Sequence, residues 1–493
     1  MDVLRLVDLN DVTAGSDKEL IVVKYITNWL NDLNVEVKIN PIDVISWNDL
    51  ECHVSNFKCV SLPPVRSSEV YGELTDDLNK CEDKILITST TDFPDNVWTI
   101  YNLAVERGAR AVIFYDEFPG RFRRIVVTGV WSYSFNEGSM PPIPAVHLRR
   151  EDGINLMRNY LGKSVELICR TDLRESTGYN IEGFIGGSKE EEVIISAHHD
   201  KWLKGFRDDV IGVYALIKLA SKVVNNRVKY SLRIVSFTAE EFGNPRLSPW
   251  YWSYGSRTYV RSVDLSSVEY VVNLDTVCME PVRVNATGIE IGKYFIKHTT
   301  LNFTYEGFDH PYTDGMSFSM LGIPTVTLHN LRDIHEVYHT DLDLPYTSVD
   351  EFVDKLTTWI IKSVDNYELG NLSLRDYVEF IRNTLPEELH AYIDRIQSID
   401  DVAKLSTLLR RLSKELVRPV VIGSYRELNN DLTTVLAPHA LVINNLRKGK
   451  RVPIRIPGFE VELCCNSGPP VEEYLKYLRE LLEELINEIN KNT

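Results

Sequence analysis

Seven residues could act together: His198, Asp200, Asp208, the pair Glu240-Glu241, Asp275 and His339. In SAHHDKW, alternate side chains of a strand share a face, so His198 and Asp200 point one way and His199 the other. Asp200 is placed to accept the second ring N–H of His198, the support that a metal-binding histidine usually has. H-x-D alone would more often be a buried, satisfied histidine. Further on, GFRDDVIG stands before a helix. Asp208 can reach the same ion as His198, and its two oxygens can serve two ions, while Asp209 reads as a helix cap. SFTAEEFG follows the apolar strand SLRIVSF. Adjacent glutamates in a turn cannot both face one ion, so Glu241 is assigned to metal and Glu240 to proton transfer. An exposed E-E would read as a solvated pair, but this one sits where parallel-sheet proteins build sites. Asp275 ends VEYVVNLD, where an unpaired buried carboxylate is costly. His339 lies in EVYHTDLD. His310, His329 and His335 read as structural or exposed.

Two histidines and three carboxylates, with Asp208 shared, give each ion one histidine, the bridging aspartate and one further carboxylate. That set suits two catalytic Zn²⁺ ions per chain, with Co²⁺ or Mn²⁺ compatible. The ions would stand about 3.5–4 Å apart with a water between them.

These residues need strands and helices to aim them. EEVIISAHHD, SLRIVSFTAEE, VEYVVNLDT and IPTVTLH read as strands, the first buried on both faces. Residues 210–224 and 349–365 read as helices. Alternating strands and helices predict an α/β fold with a mostly parallel, helix-covered sheet. Before this, 17–34 has helical periodicity. Residues 84–89, 96–107, 110–116 and 141–148 read as strand, helix, strand and strand, a self-contained unit. The tail, about 370–493, reads as helices plus a hairpin at KRVPIRIPGFEVELCC. Its last helix, 471–491, carries an apolar stripe, including Leu478, Leu482 and Leu485, that suits core packing better than an oligomer seam.

The bulk properties set limits. At 493 residues the chain exceeds what one core serves, roughly 250–300, so two or three domains are expected. A net charge of −17 argues against nucleic acid or an anionic membrane as partner. Seven cysteines, with no paired C-x-x-C, read as reduced thiols. The first residues do not read as a secretory leader, and no run approaches the about 20 apolar residues of a membrane span. A cytoplasmic protein is expected.

HHD, G-x-x-D-D-x-x-G, A-E-E-F-G, N-L-D and Y-H-T-D, in this order, resemble the M28 family of zinc peptidases. AHHDKW and GFRDDVIG look most like its glutamate carboxypeptidase II and transferrin receptor branch. The resemblance implies a zinc-exopeptidase sheet of the phosphorylase/hydrolase-like kind in residues 1–44 and 171–368. It further implies an inserted protease-associated-like domain at 45–170 and a C-terminal, mainly helical domain at 369–493. His198, Asp208 and Asp275 would hold one zinc, and Asp208, Glu241 and His339 the other. Glu240 would be the general base on a metal-bridging water, Asp200 the orienter of His198, and Tyr338 an oxyanion donor. Peptides are the implied substrates, and a homodimer through the C-terminal domain is compatible. The chain departs from the family at NPRLSPWYWSY (244–254), an aromatic insertion expected to border the cleft.

An aminopeptidase is the first expectation. The alternative is a carboxypeptidase, which needs arginines for a terminal carboxylate; Arg207 and Arg257 are candidates. A binding protein on the same fold is the reading from another class, disfavoured because unused ligands are costly buried charges. M20-type deacylases and one-zinc glutaminyl cyclases fit the spacing and the complete ligand set less well.

Overall fold

The computed structural model describes residues 3–491, except 92, 94, 128–140, 245–251, 298, 300, 310–311, 386, 418, 423–435, 439–453 and 456–470. Most strands join one mixed sheet: β1 (Glu36–Val54), β2 (Phe57–Lys58), β3 (Val60–Ser61), β4 (Ser68–Thr75), β5 (Ile85–Ser89), β6 (Ala111–Tyr115), β7 (Ala145–Leu148), β8 (Ser164–Ile185), β9 (Lys189–His198), β10 (Tyr230–Phe237), β11 (Val268–Leu274), β12 (Val282–Ala286), β13 (Phe303–Phe308) and β14 (Thr325–His329). The main path runs β13-β12-β14-β11-β9-β10-β8-β4-β5-β6-β7-β3.

The site-bearing centre is parallel: β9 lies between β10 and β11, and β14 flanks β11. These strands are apolar because helices cover both faces. Ile211–Val223 and Val349–Asn366 pack together on one side. The expectation of a mostly parallel sheet needs correction at β1 and β8. They pair antiparallel from Glu36↔Phe184 to Val54↔Leu167, and β8 also pairs antiparallel with β10 and β4. The length of β8 escaped the sequence reading because its middle, Asp172–Ser176, is polar apart from Leu173 and not buried.

The boundaries expected at 44/45 and 170/171 fall inside β1 and β8, so the sheet passes without a break from one region into the other. Residues of 45–170 nevertheless pack around their own apolar cluster, with Trp47, Ile87, Ile113 and Val146 at its heart. Trp202, Phe242 and Trp252 join that cluster from beside the candidate ligands.

The tail holds helices Leu374–Thr384, His390–Gln397, Val402–Val417 and Val471–Lys491. Leu478, Leu482 and Leu485 are buried in the same core as Tyr377, Leu405 and the central strands. Of the expected hairpin, only 454–455 is described, pairing with Pro419–Ile422; Cys464 and Cys465 lie outside the described residues.

The thiol expectation is overturned at one pair. Cys52 and Cys59 form a disulfide, Cα–Cα 5.0 Å, because the hairpin between β1 and β2 sets them opposite each other. Cys81, Cys169 and Cys278 are free and buried. Among the described residues no helix is long and apolar enough to cross a membrane.

Candidate metal centre

His198 is the last residue of β9, and Asp275 follows β11, its neighbour. Both therefore emerge at the carboxyl edge of the parallel strands. Glu240 and Glu241 lie just beyond β10. Asp208 lies in the turn Phe206–Val210, before the helix that begins at Ile211. His339 comes from the loop between β14 and the helix at Val349.

The structure brings these side chains together. Asp208 Oδ1 lies 3.1 Å from His198 Nε2, and Asp208 Oδ2 lies 3.0 Å from His339 Nε2. Glu241 Oε2 is 3.2 Å from His339 Nε2. Two groups could each hold an ion: His198, Asp208 and Asp275, and Asp208, Glu241 and His339, all buried.

The ring tautomers follow from their partners. His198 Nδ1 is 2.9 Å from the Asp200 carbonyl, and His339 Nδ1 is 2.9 Å from the Arg124 carbonyl. A carbonyl only accepts, so both Nδ1 atoms carry hydrogen and both Nε2 lone pairs face the carboxylates. Among the described residues those Nε2 atoms and Glu241 Oε1 are buried without a hydrogen-bond partner, as suits ligands of a cation. Charge points the same way. Burial pushes Glu240 and Asp275 well above the ordinary carboxylate range, and Glu241 up to about 7. Burial opposes the charged imidazole of His339, yet the Glu241 and Asp208 carboxylates outweigh it and lift the group to about 9. At neutral pH either protons or divalent cations must balance this cluster.

Asp200 behaves differently from the expectation. Its carboxylate stands 3.8 Å from His198 Nδ1 and accepts instead from the amides of Glu240, 3.1 Å, and Glu241, 3.0 Å. Its own carbonyl takes the imidazole, because β9 ends at His198 and the chain turns there. Asp200 thus ties the glutamate turn to His198. Ser253 Oγ donates to Glu240 Oε1 at 3.2 Å. Asp209 accepts from the Gly212 amide at 3.2 Å, the capping contact expected of it.

Tyr338 stacks on the His339 ring, centroids 3.7 Å apart. His329 is engaged with Asn285 and His335 with Glu117; His310 lies outside the described residues. Of the insertion 244–254, residues 245–251 lie outside them too. Trp252 packs on Trp98 and Tyr312.

Sequence reasoning missed the residues that hold the His339 loop. Arg123 donates from Nη1 to the carbonyls of His335, 3.0 Å, and Tyr338, 2.8 Å, and pairs with buried Asp116 at 2.8 Å. The Arg124 amide donates to the His339 carbonyl at 3.0 Å. No local motif marks these contacts; Arg123 and Arg124 were visible only as basic residues in a loop. Asp314, another buried carboxylate missed, is pushed up to about 7 by burial beside this cluster.

Residues 180–362 match the model of peptidase family M28. The fold is similar to that of a zinc aminopeptidase from Bacillus subtilis, at 19% identity over 74% of this chain and 94% of that chain, TM-score 0.55. It is similar to a peptidase M28 precursor from Shewanella amazonensis SB2B, at 19% identity over 74% and 92%, TM-score 0.57. A further similar structure is an aminopeptidase from Aneurinibacillus sp. strain AM-1, at 19% identity over 74% and 93%, TM-score 0.51. No curated protein matches the chain. All five candidate ligands lie within the segment that matches the family, and the chain is a metallopeptidase.

Proposed function

We propose that the chain is a two-zinc aminopeptidase. The observation that carries the reading is Asp208, with one oxygen toward each imidazole and a further carboxylate on either side. His198, Asp208 and Asp275 would hold one ion, and Asp208, Glu241 and His339 the other. This nitrogen and oxygen donor set suits zinc. Zinc would supply Lewis acidity toward the scissile carbonyl and bring water's pKa toward neutrality.

The chain's own groups do the rest. Glu240 takes the proton of the attacking water and passes it to the leaving amine as the C–N bond breaks. Ser253 holds Glu240 Oε1, and Asp200 holds the Glu240 amide, so the carboxylate is aimed before substrate arrives. Tyr338, next to His339, would donate its hydroxyl to the oxyanion.

The arginines favour the aminopeptidase reading over a carboxypeptidase. Arg207 is paired with Asp343 at 2.8 Å and the Leu344 carbonyl at 3.1 Å. Arg257 donates to the carbonyls of Trp252, 3.0 Å, and Ser253, 3.3 Å. Both candidates for a terminal carboxylate are thus spent on the protein itself.

The test is metal content together with hydrolysis of a free peptide and its N-acetylated form. Two zinc ions per chain and cleavage of the free peptide alone are expected. Cleavage of both from the carboxyl end would replace this reading with the carboxypeptidase. No uptake of metal and no cleavage would leave a binding protein on the same fold.

A further inference from the structure

One buried carboxylate at the centre has no part in the mechanism above. Asp343 lies in HTDLD, four residues after His339, and is fully enclosed. Its amide donates locally to the Thr340 carbonyl at 3.3 Å, while its carboxylate and its carbonyl reach back across the molecule to the turn that carries Asp208.

That turn is not helical. Gly205 has φ 47°, and Asp208 and Asp209 have φ −129° and −135°. A Cβ at Gly205 would lie 2.5 Å from the Asp208 carbonyl oxygen, so only glycine fits. Amides in such a turn need acceptors from elsewhere when buried. Asp343 supplies them. Its Oδ2 accepts from the amides of Arg207, 2.8 Å, and Asp208, 3.3 Å, and its carbonyl accepts from the Phe206 amide at 3.2 Å. Arg207 Nη1 closes on Asp343 Oδ1 at 2.8 Å, with its guanidinium over the Tyr346 ring, 5.2 Å to the centroid.

We infer that Asp343 is a positioning residue for the metal centre: it fastens the Asp208 turn to the His339 loop and so holds the shared carboxylate between the two imidazoles. The inference rests on the reading of these residues as metal ligands. Asp208 meets His198 Nε2 and His339 Nε2 at 3.1 and 3.0 Å, and a small rotation of the turn would lose one of them. The Arg124 carbonyl holds the His339 ring from one side, and Asp343 ties the same loop to Asp208 from the other. Outer partners of metal ligands act in this way, and their loss typically costs about 10–100-fold in metal affinity.

The test is a Co²⁺ titration of the metal-free full-length chain, followed by visible absorption, on wild type and Asp343→Asn. The amide keeps the size of the side chain but loses the charge that Arg207 pairs with, and it turns a donor toward the amides. Expected are two Co²⁺ per wild-type chain and, in the variant, affinity lower by about tenfold or more with a changed absorption band. The variant's kcat should fall while KM holds. A purely structural Asp343 would lower the melting temperature of the metal-free chain but leave Co²⁺ affinity and spectrum unchanged, and that result overturns the inference. Should Asp343→Asn not fold, Arg207→Met is read the same way: a severalfold loss of affinity supports the inference and unchanged binding overturns it. If the wild type takes up no Co²⁺, the metal reading fails and this inference falls with it.

Discussion

The two imidazoles of the centre are held by different kinds of structure. His198 and Asp275 stand at the ends of adjacent parallel strands, and the ladder upstream of them pairs Tyr270 through Asn273 with Val193 through Ser196 without a break. Ser196 Oγ even bridges the two strands to Asn273 Oδ1 at 2.8 Å. His339 stands on a loop, in left-handed backbone at φ 59°, with its ring N–H on the carbonyl of Arg124, 215 positions earlier in the chain. A strand-borne ligand inherits its place from the sheet. A loop-borne side chain needs a clamp, and here Arg124, from the region between β1 and β8, holds the His339 ring and carbonyl. That region therefore reaches the candidate site through Arg123 and Arg124.

The largest effect should come from Glu240, the proposed proton carrier, which belongs to neither ligand group. Glu240→Gln should lower kcat by roughly 10²–10⁴-fold with metal content intact, because it removes only the proton carrier. Full turnover in that variant, measured beside elemental analysis, would exclude Glu240 as the base.

The comparison itself is tested by paired variants. Arg123→Ala frees the carbonyls of His335 and Tyr338 and leaves buried Asp116 without its guanidinium, a loss on the order of 3–5 kcal/mol. We expect the affinity for one of two ions to fall by about 10–100-fold, that of the His339 side. Ser196→Ala should cost only about 1 kcal/mol and leave both ions bound, since the ladder remains. Equal metal loss in both variants, by metal titration, would erase the distinction.

Acid should weaken both regions through two histidines kept neutral. Burial depresses His147 to about 3 and His329 to about 4. Between those values and the ordinary 6.5 the unfolded chain binds the extra protons. Stability is therefore fully present above about pH 6.5 and falls as the pH drops toward 4, by roughly 2 kcal/mol per histidine from pH 7 to 5. His147→Asn and His329→Asn should each flatten the dependence of melting temperature on pH; an unchanged slope in both would contradict the assignment.

The smallest effect is expected far from the ligands. Replacing Cys52 and Cys59 by serine opens a short loop, worth about 2 kcal/mol by loop closure. Calorimetry should show a lower melting temperature with metal content unchanged. Loss of an ion would mean that the hairpin, through Asp49 and its 2.6 Å pair with Arg124, reaches the His339 loop.

That these side chains would lie near one another was legible in sequence because most of them end apolar strands or sit in short turns beside them. EEVIISAHHD and VEYVVNLD state both the strand and the residue that leaves it, and a buried acid or imidazole there asks for a partner. The capping contact of Asp209 was also readable, since it precedes a helix where a cap is needed. Asp200 was assigned to the right neighbourhood but the wrong bond, because strand alternation does not say where the strand stops. Only the tertiary structure decided the rest. The length of β8, the antiparallel pairing of β1, the Cys52–Cys59 bridge, and the hold of Arg123, Arg124 and Asp343 on the ligand loops all join residues distant in the chain. Their local sequences are unremarkable, and what selects them is the demand of buried amides, carbonyls and charges for partners that only the folded chain brings within reach.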